Sequence, residues 1–199
     1  MSRLLLVRHA STPATRRSAF PLDEPLDPPG AVHARALTRF LARADRSFFG
    51  PRACDRQTAI EAGLEGEVDP ALAGWNYGRW AGLSMEEVER QDPAAFEAWQ
   101  RDPNARPPGG ESLLELVGRA RTLIGRMGTL PGRTALVTDG GLIRAAIVAA
   151  LDAPLALFWS IDISPASITE LATRHDHPRD PAVTGWRLLR SNWTPPVPE

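Results

Sequence analysis

The chain has 199 residues, of which 43% are hydrophobic and 24% charged, a composition that fits one soluble domain with a sizeable core. Its formal net charge of −1 excludes a global field that would draw it onto nucleic acid or an anionic membrane. All 23 basic residues are Arg, which excludes lysine nucleophiles and Schiff bases, and the single cysteine, Cys54, excludes a disulfide framework or a multi-cysteine metal site.

The N-terminus, MSRLLLVRHA, is too short in apolar residues for a signal peptide or a membrane span. Leu4–Val7 instead predicts a strand buried on both faces, and a cytoplasmic location is expected. Residues 11–29 are rich in proline and polar groups and read as loop. Gly30 opens a helix in which Val32, Ala36, Leu37, Phe40 and Leu41 recur at helical spacing. A short strand is expected over 47–50 and a short helix over 56–63. Residues 69–82, with Gly74, Gly78 and Gly82 among Trp75, Tyr77 and Trp80, read as irregular.

Ser84 with Glu87 forms a capping box, so a helix starts at Met85. Further helices are predicted over 94–101 and 112–127, with a Pro/Gly turn between them. TALVT at 134–138 is a strand that runs at once into Asp139, Gly140, Gly141 and an apolar helix ending near Leu151. Residues 167–173 and 186–190 read as a late antiparallel pair. No repeat or linker divides the chain, so residues 1–193 are expected as one domain, followed by a proline-rich tail at 194–199. Strands alternating with helices predict a three-layer α/β/α sandwich around a mainly parallel sheet.

Two strand ends carry chemistry, LLLVRHAST at 4–12 and ALVTDGGLIR at 135–144. Open parallel sheets place their ligand sites at such C-terminal ends. The Gly140–Gly141 turn adds a helix N-terminus, which favours an anion.

Together these segments resemble the histidine-phosphatase (phosphoglycerate-mutase-like) superfamily. LVRHAST is similar to that family's Arg-His signature, EPLDPPGAVHA at 24–34 to its PLT-x-x-G segment, and DRQTA at 55–59 to its Arg-x-x-Gln-Thr-Ala helix start. GWNYGRWAGL at 74–83, GGES at 109–112 and TDGGLIR at 138–144 extend the likeness over nearly the whole chain. The resemblance implies a phosphoglycerate-mutase-like fold, a phosphohistidine formed on the first His, a cradle of two Arg and a second His, and a Glu that handles the leaving-group proton. It implies no cofactor or metal.

Carried over by position, Arg8 and His9 match the first cradle Arg and the nucleophile, and Thr12 the polar residue after them. Cys54 stands where the second Arg is implied, Asp139 where the second His is, and Gly74 where the Glu is. The pocket thus loses roughly two to three charge units against the family pattern. A carboxylate about 4 Å from a phosphoryl dianion would repel it by several kcal/mol at an effective dielectric near 20. Arg52, Arg56 and Arg144 are the candidate replacement cations, with the Gly140 and Gly141 amides as further donors.

His9 and Asp139 at neighbouring strand ends also suggest an acid/base pair, with the carboxylate raising the imidazole pKa. With Cys54 they suggest a Cys–His–Asp arrangement. Against this stand blander readings: Cys54 as a small buried residue, Asp139 in a salt bridge with Arg8, and Trp75, Tyr77, Trp80 and Trp99 as core. His175 and His177 flank Asp176 at a metal-like spacing, although the segment reads as a solvated loop, and His33 reads as surface. Two functions follow. One is a divergent enzyme acting on a small metabolite, phosphorylated or otherwise, with phosphatase activity weak or replaced by other acid/base chemistry. The other is a catalytically inactive binding or regulatory protein. Neither a nucleic-acid nor a membrane partner is expected, and a homodimer stays open.

Overall fold

A computed structural model describes residues 1–173 and 185–196. Among these residues six strands, β1 (Ser2–Arg8), β2 (Arg46–Phe49), β3 (Glu67–Val68), β4 (Gly132–Thr138), β5 (Ile168–Thr173) and β6 (Trp186–Trp193), form one sheet in the order β3-β2-β4-β1-β5-β6. β3, β2, β4 and β1 run parallel, whereas β5 pairs antiparallel with both β1 and β6. The expected α/β sandwich with a mostly parallel sheet is therefore the observed fold.

Among the described residues eight α-helices flank it: α1 (Pro13–Arg16), α2 (Pro28–Ala36), α3 (Thr38–Leu41), α4 (Ala53–Glu61), α5 (Met85–Gln91), α6 (Pro93–Arg101), α7 (Leu113–Gly128) and α8 (Gly140–Leu151). Strand side chains alternate between two layers. Leu4, Leu6 and Leu136 pack on one face with Leu116, Ile124 and Met127 of α7 and Ile143 and Ile147 of α8. Leu5, Val7, Ala135 and Val137 pack on the other with Ala34, Leu37, Leu41 and Ala59. The apolar run of β1 is continuous because both of its faces are covered.

Several boundaries differ from the sequence reading, for identifiable reasons. The helix expected from Gly30 begins at Pro28, because Asp27 caps it and Pro28 and Pro29 suit a first turn. It breaks at Leu37, whose N–H bonds the Ala34 carbonyl three residues back, so residues 28–41 form two helices. The loop at 11–29 holds α1, capped by Thr12. The helix expected at 56 starts at Ala53. β3 is two exposed residues long and carries no hydrophobic signal. As expected, residues 69–82 are irregular, with two short 3-10 turns at Pro70–Leu72 and Gly78–Trp80.

Candidate active site

The site forms where β1 and β4 end side by side. Arg8 lies opposite Thr138, and the His9 N–H donates to the Thr138 carbonyl at 2.8 Å, which sets His9 and Asp139 on adjacent strand ends. The Thr58 hydroxyl of α4 ties this edge together. It accepts from the Ala10 N–H at 3.0 Å and donates to the Cys54 carbonyl at 2.7 Å. The first turn of α4, carrying Arg52, Cys54 and Asp55, is thereby held against the loop that follows His9.

His9 is 2% exposed, and its Nδ1 lies 2.8 Å from the Ala10 carbonyl. A carbonyl only accepts, so Nδ1 carries the proton and Nε2 keeps its lone pair. Burial, then the charges of Arg52 and Arg8, lower the imidazole pKa to about 3, so the ring is neutral near pH 7. Asp139 caps α8, its Oδ1 accepting the Leu142 N–H at 2.8 Å, while Oδ2 accepts the Trp75 N–H at 2.9 Å and lies 3.4 Å from Arg52 Nη2. Burial opposes its charge, but Arg52 and these two N–H groups prevail and hold the carboxyl below the usual range.

Arg52 also sets Nε 3.6 Å from Asp55 Oδ2. Neither contact has hydrogen-bond geometry, so buried Nε and Nη2 of Arg52 carry no hydrogen bond, as do Nε of Arg8 and Nε of Arg144. Arg8 donates from Nη1 to the Ile163 carbonyl and packs against Gly140. On the far side, the 70–82 loop is pinned by Arg119, which donates to the carbonyls of Ala71, Ala73 and Gly74 at 3.2, 2.7 and 3.3 Å and forms an ion pair with Glu111 at 2.9 Å.

Residues 4–184 match the model of the histidine phosphatase superfamily, branch 1. The chain belongs to that superfamily. It is 29% identical over 205 residues to glucosyl-3-phosphoglycerate phosphatase of Mycobacterium tuberculosis, across 94% of this chain and 92% of the relative. With phosphoserine phosphatase 1 of Hydrogenobacter thermophilus it shares 28% over 179 residues, 84% of each chain. The mycobacterial glucosyl-3-phosphoglycerate phosphatase solved with VO3 superposes with a TM-score of 0.82 at 28% identity, covering 96% of this chain and 98% of that one.

Within this superfamily fold, Arg8, His9, Cys54, Asp139, Gly140, Gly141 and Arg144 all gather at one sheet edge. Several expectations need correction. Asp139 pushes the His9 pKa up only weakly, and burial with the charges of Arg52 and Arg8 outweighs it, so the net shift is downward. Asp139 pairs with Arg52 and not with Arg8. Cys54 is 1% exposed, and burial with the nearby Asp55 pushes its thiol up to about 12, so it is no thiolate nucleophile at neutral pH. Arg56 is exposed and donates to the Pro51 carbonyl at 2.5 Å, turned out of the pocket. The Thr12 hydroxyl serves as the cap of α1. Trp75, Trp80 and Trp99 are core, as one reading held, and His33 is exposed.

Ligand atoms of His9, Cys54 and Asp55 lie within 4.8 Å of one another, the one such group among the described residues. Arg52 Nε already faces Asp55 Oδ2 at 3.6 Å, so a cation in the cluster would meet a guanidinium and fits poorly. His175, Asp176 and His177 lie outside the described residues. Sequence reasoning passed over Asp55, Thr58 and Arg119. DRQTA flags the first two as the start of a helix, but nothing local marks Arg119, which acts across 45–48 residues of chain.

Proposed function

We propose that this chain is a phosphoryl-transferring hydrolase whose nucleophile is His9 Nε2 and whose second cation is Arg52. One observation carries the reading. Buried guanidinium nitrogens of Arg8 and Arg52 beside a neutral imidazole, and of Arg144 next to Arg8, lack hydrogen bonds. Buried cationic donors left unsatisfied are costly, and an anion with several oxygens would satisfy them. Relatives named as phosphatases support the same chemistry, with a small phosphorylated metabolite as substrate.

On this reading the site is a divergent one. Arg52 enters from two residues before position 54, and Gly74 makes room for it: a Cβ there would lie 2.2 Å from Arg52 Nη2 and 2.4 Å from Asp139 Oδ2. The replacements at 54, 74 and 139 therefore form one packed unit. Asp139 acts as a fixed counter-ion and not as a second acid. A binding protein without turnover is favoured by a different observation, that Arg52 already has two carboxylates beside it.

Hydrolysis of p-nitrophenyl phosphate by wild type, His9→Ala and Arg52→Met separates the two. The hydrolase reading expects turnover that His9→Ala abolishes and that Arg52→Met lowers by about 10²–10³ in kcat, the usual effect of removing one transition-state donor. Inorganic phosphate binding with no turnover would remove the hydrolase and leave the binding protein.

A further inference from the structure

Resting on that phosphoryl-transfer reading, we propose that the site works on donors whose leaving group departs unprotonated, namely acyl phosphates, phosphoanhydrides and aryl phosphates, and turns over simple alkyl phosphates poorly. Cleaving an alkyl phosphate expels an alkoxide, which needs a proton from a placed acid. The pocket is cationic enough to hold a phosphoryl group, yet among the described residues no group is set to give that proton.

The ionisable neighbours fail one by one. Asp139 has both oxygens committed to N–H groups of Leu142 and Trp75 and a guanidinium beside it, so it stays an anion. Asp55 is protonated more readily, its carboxyl pushed up to about 7 by burial, but it is 0% exposed and lies against Arg52 and Cys54. The Cys54 Sγ faces Asp55 Oδ1 at 4.0 Å, and burial with that carboxyl pushes the thiol up to about 12, a poor acid. Arg8, Arg52 and Arg144 are permanent cations that stabilise charge without releasing protons. Asp162 stands 3.9 Å from Arg144 Nη2 with its side chain 81% exposed, a rim counter-ion, and Glu111 has both oxygens on Arg119. The backbone at Gly74 has no side chain, and Arg52 with Asp139 fills the space a carboxylic acid would need. Tyr77 remains, a half-buried phenol that feels the charges of Asp139, Arg144, Arg52 and Arg8. Burial and Asp139 raise its pKa, which makes it a hydrogen-bond donor and a poor acid.

The reaction then balances without an acid. The His9 Nε2 lone pair forms an N–P bond while the P–O bond to the leaving group breaks, and the electron pair leaves on a carboxylate, phosphate or phenolate oxygen. Water next attacks phosphorus, the N–P electron pair returns to Nε2, inorganic phosphate is released, and the water proton passes to solvent. Phosphoserine is an alkyl phosphate, so this assignment sets the chain apart from the relative named for that substrate.

The test measures kcat/KM for substituted phenyl phosphates with leaving-group pKa from about 4 to 10, with acetyl phosphate and ethyl phosphate added. Wild type, His9→Ala and Tyr77→Phe are compared. A proton donor contributes about 10²–10⁴-fold, so its lack predicts a steep fall across the series and ethyl phosphate at least about 10³-fold below acetyl phosphate. Tyr77→Phe should leave the slope unchanged. A flat series, with His9-dependent turnover of ethyl phosphate within tenfold of acetyl phosphate, overturns the proposal while keeping the phosphoryl-transfer reading. A slope that steepens only in Tyr77→Phe also overturns it and makes Tyr77 the acid. If no donor is turned over in a His9-dependent way, both fall.

Discussion

Replacing Asp139 with Asn isolates what its charge does, because the amide is nearly the same size and its oxygen can still cap α8. What is lost is the ion pair with Arg52 at 3.4 Å and the acceptor for the Trp75 N–H at 2.9 Å, which an amide NH₂ would face donor to donor. The side chains of the pair are only 15% and 5% exposed, so solvent screens them little. Removing one partner of a buried pair costs about 3–5 kcal/mol. Retention of the cap favours the lower end, so we expect about 3 kcal/mol. At about 2–4 °C per kcal/mol for a chain of this size, thermal unfolding followed by circular dichroism should fall by about 6–12 °C.

Arg52→Met in the same background should recover part of the loss, because it removes the cation that Asp139→Asn leaves alone. The carboxyl is held below its ordinary value of 3.8, so its contribution is full above that pH and fades as pH drops through the lower folded value. The Asn variant should therefore lose less stability on acidification than wild type. A drop below about 2 °C, or additivity between Asp139→Asn and Arg52→Met, would refute the view that the two side chains act as one unit.

Two other outcomes follow from the burial of the site. The His9 ring, with its pKa lowered to about 3, should show no titration of its ring-carbon NMR signals between pH 5 and 8, with assignment by loss of the signal in His9→Ala; a midpoint near 6.5 would contradict the desolvated pocket. The sole thiol, Cys54, should resist Ellman's reagent at pH 8 in the folded protein and give one equivalent in denaturant, whereas fast labelling of native protein would place it at the surface.

Much of the scaffold is legible in the sequence because it is written in local, periodic signals. Leu4–Val7 and TALVT declare buried strands, and Ser84 with Glu87 announces the helix it caps. The break at Leu37 escapes such reading, since the helical spacing of apolar residues carries straight through it. The site is legible only as a set of positions. The sequence sets His9 beside Asp139, but which cation Asp139 holds depends on the reach of Arg52 past Gly74, a choice made by side-chain packing over 87 residues of chain. The same holds for the His9 pKa, where enclosure outweighs a carboxylate that pattern alone would credit.

The antiparallel seat of β5 beside β1 governs when the site comes into being. Its approach supplies the Ser167 carbonyl to the Arg8 N–H at 3.0 Å, the Ala166 N–H to the Arg8 carbonyl, and the Ile163 carbonyl to the Arg8 guanidinium. The opposite flank, β4, is made more than a hundred residues after His9 is. On the ribosome, then, His9 is made well before either neighbour and waits for both. Contacts of such long sequence separation form slowly. A nascent chain stalled before β5 would expose one whole edge of β1 and leave the site open on that side.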